Sequence, residues 1–139
     1  MSCMLRASGA KFDVDLFLKD CSLQPVRVWR KGERKAPSSQ SNQKTITESS
    51  VSFEVSGADF SELTIQFADA QLWLAQNRDE VARLVRFPGV EGVSVDFGVE
   101  IRPPGWSSFT FPPSLTTLVG ALGLELQISV YPTNDESES

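Results

Sequence analysis

Arg27, Trp29 and Lys31 stand at alternate positions of one short segment, with Arg30, Arg34 and Lys35 close by. On an extended strand, residues two apart point to the same side. This spacing therefore presents an indole between two cations. Such a face could stack a base and hold phosphates, as single-strand binders and sheet-based RNA readers do. It could equally anchor an acidic protein partner, because Trp and Arg are enriched among the residues that dominate interfaces. A plain structural role is open too, with Trp29 filling a gap in the core or lying under a long loop. The net charge of −5 and the lack of a second aromatic beside Trp29 weigh against nucleic acid. Arg27, Trp29, Lys31 and Arg34 are accordingly the residues expected to touch a partner.

Little else in the chain points to chemistry. The absence of histidine removes Ser-His and Cys-His nucleophile pairs, H-E-x-x-H zinc hydrolysis and two-His metal triads. No G-x-x-x-x-G-K-[ST] or G-x-G-x-x-G phosphate cradle occurs. Asp96 and Glu100 share one side of a strand but lie about 13–14 Å apart there, too far to act on one bond. A neighbouring carboxylate such as Glu54 could shorten that gap, although solvating charges are the simpler reading. Cys21 falls on an apolar helical stripe and reads as core, and Cys3 and Cys21 form no C-x-x-C pair. The sequence thus points to no catalytic residues, no metal and no cofactor.

The hydrophobic pattern supplies the elements that would hold these residues. Cys3, Leu5 and Ala7 alternate with Met4, Arg6 and Ser8, predicting a strand. Asp13 is a good N-cap for a helix with Val14, Phe17, Leu18 and Cys21 on one stripe, ending near Ser22. Phe12 and Phe17 have the spacing of a hydrophobic staple. A strand follows from Pro25 to Gly32, then a polar loop over 36–50 and a strand around Val51, Phe53 and Val55. Asp59 and Glu62 suggest a capping box for a helix carrying Phe60, Leu63, Phe67, Ala70 and Leu74, with a break near Asn77 and a second helix beyond. Val93, Val95, Phe97, Val99 and Ile101 alternate without a miss, placing Ser94, Asp96, Gly98 and Glu100 outward. Pro112 and Pro113 open a last helix with Leu115, Leu118, Val119 and Leu122 inward, Gly123 stops it, and Leu124 to Val130 form the final strand.

The resulting order, β-α-β-β-α-β-α-β, predicts an α+β fold. Its first six elements match a ferredoxin-like split β-α-β, with an appended helix and strand and helices on one face of a mainly antiparallel sheet. Residues 1–132 are read as a single domain and 133–139 as a disordered acidic tail. With 40% hydrophobic and 22% charged residues, no secretory signal and no apolar run long enough for a bilayer, the chain reads as a soluble cytoplasmic protein with reduced thiols.

Pro25-Val26-Arg27-Val28-Trp29-Arg30-Lys31-Gly32 resembles the P-x-x-x-W-x-K-G signature of the DUF4279 family, a bacterial domain of unknown function. Phe111-Pro112-Pro113, the helix from Leu115 to Gly123 and the strand from Leu124 to Tyr131 resemble that family's C-terminal end, and the strand and helix before Pro25 also fit. Residues 36–60 differ from it in lacking a second tryptophan after the polar loop. The resemblance implies a fold and a bacterial origin but no activity. The expected function is a non-enzymatic, partner-binding protein, such as an immunity protein or a small subunit of a defence or regulatory complex. A ferredoxin-like small-molecule sensor is the alternative, and single-stranded nucleic-acid binding through Trp29 and its cations a minor one. No membrane partner is expected, and the oligomeric state is not readable from the sequence.

Overall fold

Strict alternation in the strands decides which residues enter the core. The computed structural model describes residues 2–33, 45–101 and 108–132. Their elements are β1 (Cys3–Gly9), α1 (Val14–Lys19), β2 (Arg27–Trp29), β3 (Ser49–Ser56), α2 (Leu63–Gln76), α3 (Arg78–Val85), β4 (Gly92–Ile101), α4 (Pro113–Ala121) and β5 (Glu125–Pro132). The strands form one five-stranded sheet in the order β2-β3-β1-β4-β5. Every neighbouring pair is antiparallel except β4 and β5, which run parallel. The chain is thus α+β, with a mainly antiparallel sheet and four helices among the described residues.

Leu5 pairs with both Phe53 and Val95, and Ala7 with Val51 and Val93, so these side chains share one face of the sheet. That face is buried together with Val14 and Phe17 of α1, Phe67, Ala70 and Leu74 of α2, Val81 and Leu84 of α3, and Leu115 and Val119 of α4. The Asp13 carboxylate caps α1 by accepting from the Leu16 N–H at 3.1 Å. The staple forms as an edge-on contact of Phe12 and Phe17 with ring centres 6.4 Å apart. Asn77 separates α2 from α3, but its side chain turns back to donate to the Trp73 carbonyl at 2.9 Å and does not cap α3. Pro113 occupies the first turn of α4, and Gly123, with φ +77, supplies the left-handed residue beyond it.

Four expectations need correction. The capping box at Asp59 and Glu62 does not form. Asp59 instead accepts from the N–H and hydroxyl of Ser61, both at 2.9 Å, and α2 starts at Leu63 without a side-chain cap. Phe60 therefore lies outside the helix, against Tyr131 at 5.0 Å between ring centres. Asp96 and Gly98 lie on the face away from the helices as expected, but both are buried, so Asp96 is not a solvating charge. Asp96 accepts from the Ser129 hydroxyl at 2.8 Å, and the Phe60 ring lies over Gly98, where an added Cβ would come within 2.5 Å of it. Helix α1 ends at Lys19, before Cys21, which is half-buried and still packs against the core as expected. The last strand starts at Glu125, and its apolar row Leu126, Ile128 and Val130 stays exposed at the terminal strand of the sheet. Arg34, Lys35, Trp106, most of the 36–50 loop and the 133–139 tail lie outside the described residues.

Candidate functional site

The strand register assembles the site from three neighbouring strands. Arg27 of β2 pairs with Ser52 of β3, and Ser52 pairs with Arg6 of β1. In the next row Trp29 pairs with Ser50, and Ser50 with Ser8. All six therefore stand on the sheet face opposite the helices. Strands lie about 4.8 Å apart, so Arg27 and Arg6 flank Ser52 at a distance of two strand spacings, roughly 10 Å. The small serines between them leave room above the sheet. The result is a cleft of about 510 Å³ lined by Arg6, Arg27, Trp29, Ser8, Ile46 and Glu48, together with Thr45, Thr47 and Ser50.

Trp29 is half-buried and lies outside the main core cluster. The Arg27 guanidinium carbon stands 5.9 Å from the centre of its ring, a cation–π contact worth about 0.5–1 kcal/mol at an exposed position. Arg6 reaches the other way, with Nη1 3.7 Å from Oδ2 of Asp96, which the Ser129 hydroxyl also engages. Arg6 is thus held at its guanidinium by a buried acid on β4, and the residue also lines the cleft. The cleft wall over 45–48 is pinned by reciprocal main-chain bonds. Gly32 N–H donates to the Ile46 carbonyl and Ile46 N–H to the Glu33 carbonyl, both at 2.9 Å. Gly32 takes φ +90 to make the turn that permits this.

The sequence-predicted residues divide. Arg27 and Trp29 are brought together as expected. Lys31 is not on the strand, since β2 stops at Trp29; its N–H donates to the Ser49 hydroxyl at 2.9 Å and its side chain is exposed beside the turn. Arg34 lies outside the described residues. Arg30 points to the helix side, where it forms a two-pronged ion pair with Asp15, at 2.9 Å from Nη2 and 3.0 Å from Nε. That hydrogen bonding holds the Asp15 carboxyl below the usual range and takes Arg30 out of the cleft. Arg6, Ser8 and Glu48 were not singled out from sequence. The alternation of Arg6 and Ser8 was visible, but only the pairing of β1 with β3 places them beside Trp29, and Glu48 fell in the polar loop, where no periodicity marks it.

Other reactive groups are quiet. Burial, followed by the charges of Asp96 and Asp69, pushes the Cys3 thiol far above its ordinary range. Burial also raises Cys21, whose sulfur lies within hydrogen-bonding distance of the Leu23 main chain. Neither is poised as a thiolate. Among the described residues, no three His, Cys, Asp or Glu side chains come together to hold a metal ion, and no helix is long and apolar enough to cross a membrane. The chain matches no family model, no curated protein and no solved structure.

Proposed function

We propose that this is a non-enzymatic partner-binding protein whose cleft around Trp29 receives an acidic segment of a protein partner. The observation carrying the reading is the row Arg27–Ser52–Arg6 beside Trp29, which sets the Arg27 guanidinium and an indole at a groove that Arg6, paired with Asp96, also lines. Arginine offers a planar fork that suits carboxylates, and a half-buried indole offers apolar contact area at low entropic cost. Glu48, which also lines the cleft, favours a partner that carries its acids on one side only.

The wider reading rests on the same features. The order β4-β1-β3-β2, with antiparallel neighbours, supports a ferredoxin-like core to which α4 and β5 are appended. The likeness of Pro25 to Gly32 to DUF4279 supports a bacterial origin, and the small size and net charge of −5 fit a cytoplasmic protein of the immunity or small-subunit kind. A small-molecule sensor is the second reading, favoured by a cleft volume of about 510 Å³, which falls within the roughly 300–1,000 Å³ of ligand pockets.

Co-purification from native lysate, with wild type, Trp29→Ala and Arg27→Glu compared, tests the first reading. A partner that is retained by wild type and lost by both folded variants, with binding weakened by salt, supports it. Retention by both variants sinks it. A thermal-shift screen over nucleotides and amino acids addresses the sensor, which predicts a rise in melting temperature that Trp29→Ala abolishes.

A further inference from the structure

The two edges of the sheet are built differently. β2 ends one side with a three-residue strand bearing Arg27. β5 ends the other with eight residues, paired only to β4 among the described residues. An exposed edge is a row of unpaired N–H and C=O groups, and chains usually guard it with charges, bulges or shortness. β5 has none of these along its middle. Leu126, Ile128, Val130 and Tyr131 are 38%, 38%, 49% and 49% exposed, and Glu125 and Pro132 stand only at its ends.

The lack of charge reaches beyond the strand. Between residues 108 and 132 the single charged side chain is Glu125, in a chain where 22% of residues are charged. The neighbouring helix α4 turns Ser114, Thr116, Thr117, Gly120 and Ala121 outward. Exposed surface depleted of charge beside an apolar strand has the composition of an interface core.

We propose that β5 pairs antiparallel with β5 of a second copy of this chain across a two-fold axis, joining the two sheets at their edges. The strand is complementary to itself, as an isologous contact requires. With Ile128 on the axis, Leu126 faces Val130, Gln127 faces Ser129 and Glu125 faces Tyr131. Apolar meets apolar on the helix side, polar meets polar on the other, and no like charges oppose. A slip of one residue would set Ile128 against Gln127 and mix the two faces. The Ile128-centred register uses every residue from Glu125 to Tyr131 and leaves Pro132, which lacks an N–H, outside. This contact lies at the edge opposite the Trp29 cleft and does not depend on it.

Sedimentation equilibrium from about 1 to 100 µM protomer reads the outcome. Wild type is expected at twice the 15.3 kDa monomer mass. Ile128→Lys puts two like charges on the axis and is expected at 15.3 kDa, with an unchanged far-UV spectrum. The double variant Leu126→Lys/Val130→Glu sets opposite charges against each other in this register and is expected to stay dimeric. A wild-type monomer throughout the range, a dimeric Ile128→Lys, or a monomeric double variant would overturn the proposal.

Discussion

The Arg27 guanidinium lies 5.9 Å from the centre of the Trp29 ring, on the side of the sheet away from the helices. The contact sets the indole, which lines the cleft, against a cation. It also makes Trp29 a reporter. Arg27→Ala should alter the Trp29 emission and leave unfolding within about 0.5 kcal/mol of wild type, as surface substitutions do. Comparison with Trp29→Phe isolates the signal from Trp73 and Trp106. An unchanged Trp29 spectrum in Arg27→Ala would contradict the contact.

Phe17 is fully buried in the helix-side packing. Its ring meets Phe87 edge-on at 5.3 Å, and the Arg83 guanidinium sits 4.0 Å from its centre. Arg83 also donates to the Phe17 carbonyl at 2.9 Å. Phe17→Ala should cost about 3–5 kcal/mol in urea unfolding, the range for a buried aromatic. Arg83→Ala should cost less, and the two losses should not add, because the residues touch.

Two glycines with left-handed φ separate conformational strain from crowding. Gly32 has φ +90 and open space around an added Cβ, whereas Gly89 has φ +89 and faces the main chain of Lys11 and Phe12. Gly32→Ala should cost about 1–2 kcal/mol, the left-handed penalty alone. Gly89→Ala should cost clearly more, because backbone must move. Equal midpoints for the two variants would show that the Gly89 turn yields freely.

Acid should weaken the fold through three carboxylates, of which Asp59 is held low by the Ser61 N–H and hydroxyl. Asp15 is held low by its hydrogen bonds from Arg30. Burial alone would push Glu80 up, but bonds from Arg83 at 2.6 Å and from the Ser22 N–H and hydroxyl outweigh it, and its carboxyl sits below the usual range. The unfolded chain takes up these protons at higher pH than the folded one. Their stabilisation is therefore complete above the ordinary carboxylate range of about 4 and is lost as pH falls through the lower, folded values. Urea midpoints measured from neutral pH down to about 3 should fall less steeply for Glu80→Gln than for wild type. Parallel curves would show that Glu80 titrates alike in both states.

Local signals were legible where a short stretch of chain contains the whole physical cause. The Asp13 cap, the Phe12–Phe17 staple, the break at Asn77 and the α4 stop at Gly123 each involve neighbours in sequence. The capping box at Asp59 failed because Ser61, two residues on, offered the carboxylate nearer donors. Asp96 looked like a surface charge because its partners, Arg6 and Ser129, come from strands far away in the chain.

By itself the sequence determined the strand and helix periods, the two faces of each strand and the pairing of Trp29 with Arg27, because those depend on a spacing of two or of three to four residues. Only the tertiary structure decided which strands are neighbours. That choice placed Arg6 across Ser52 from Arg27, turned Arg30 to Asp15, and left the apolar row of β5 at an edge. The reason is physical. Alternation states which side of a strand is apolar, whereas neighbours and edges follow from how the helices cover the whole sheet.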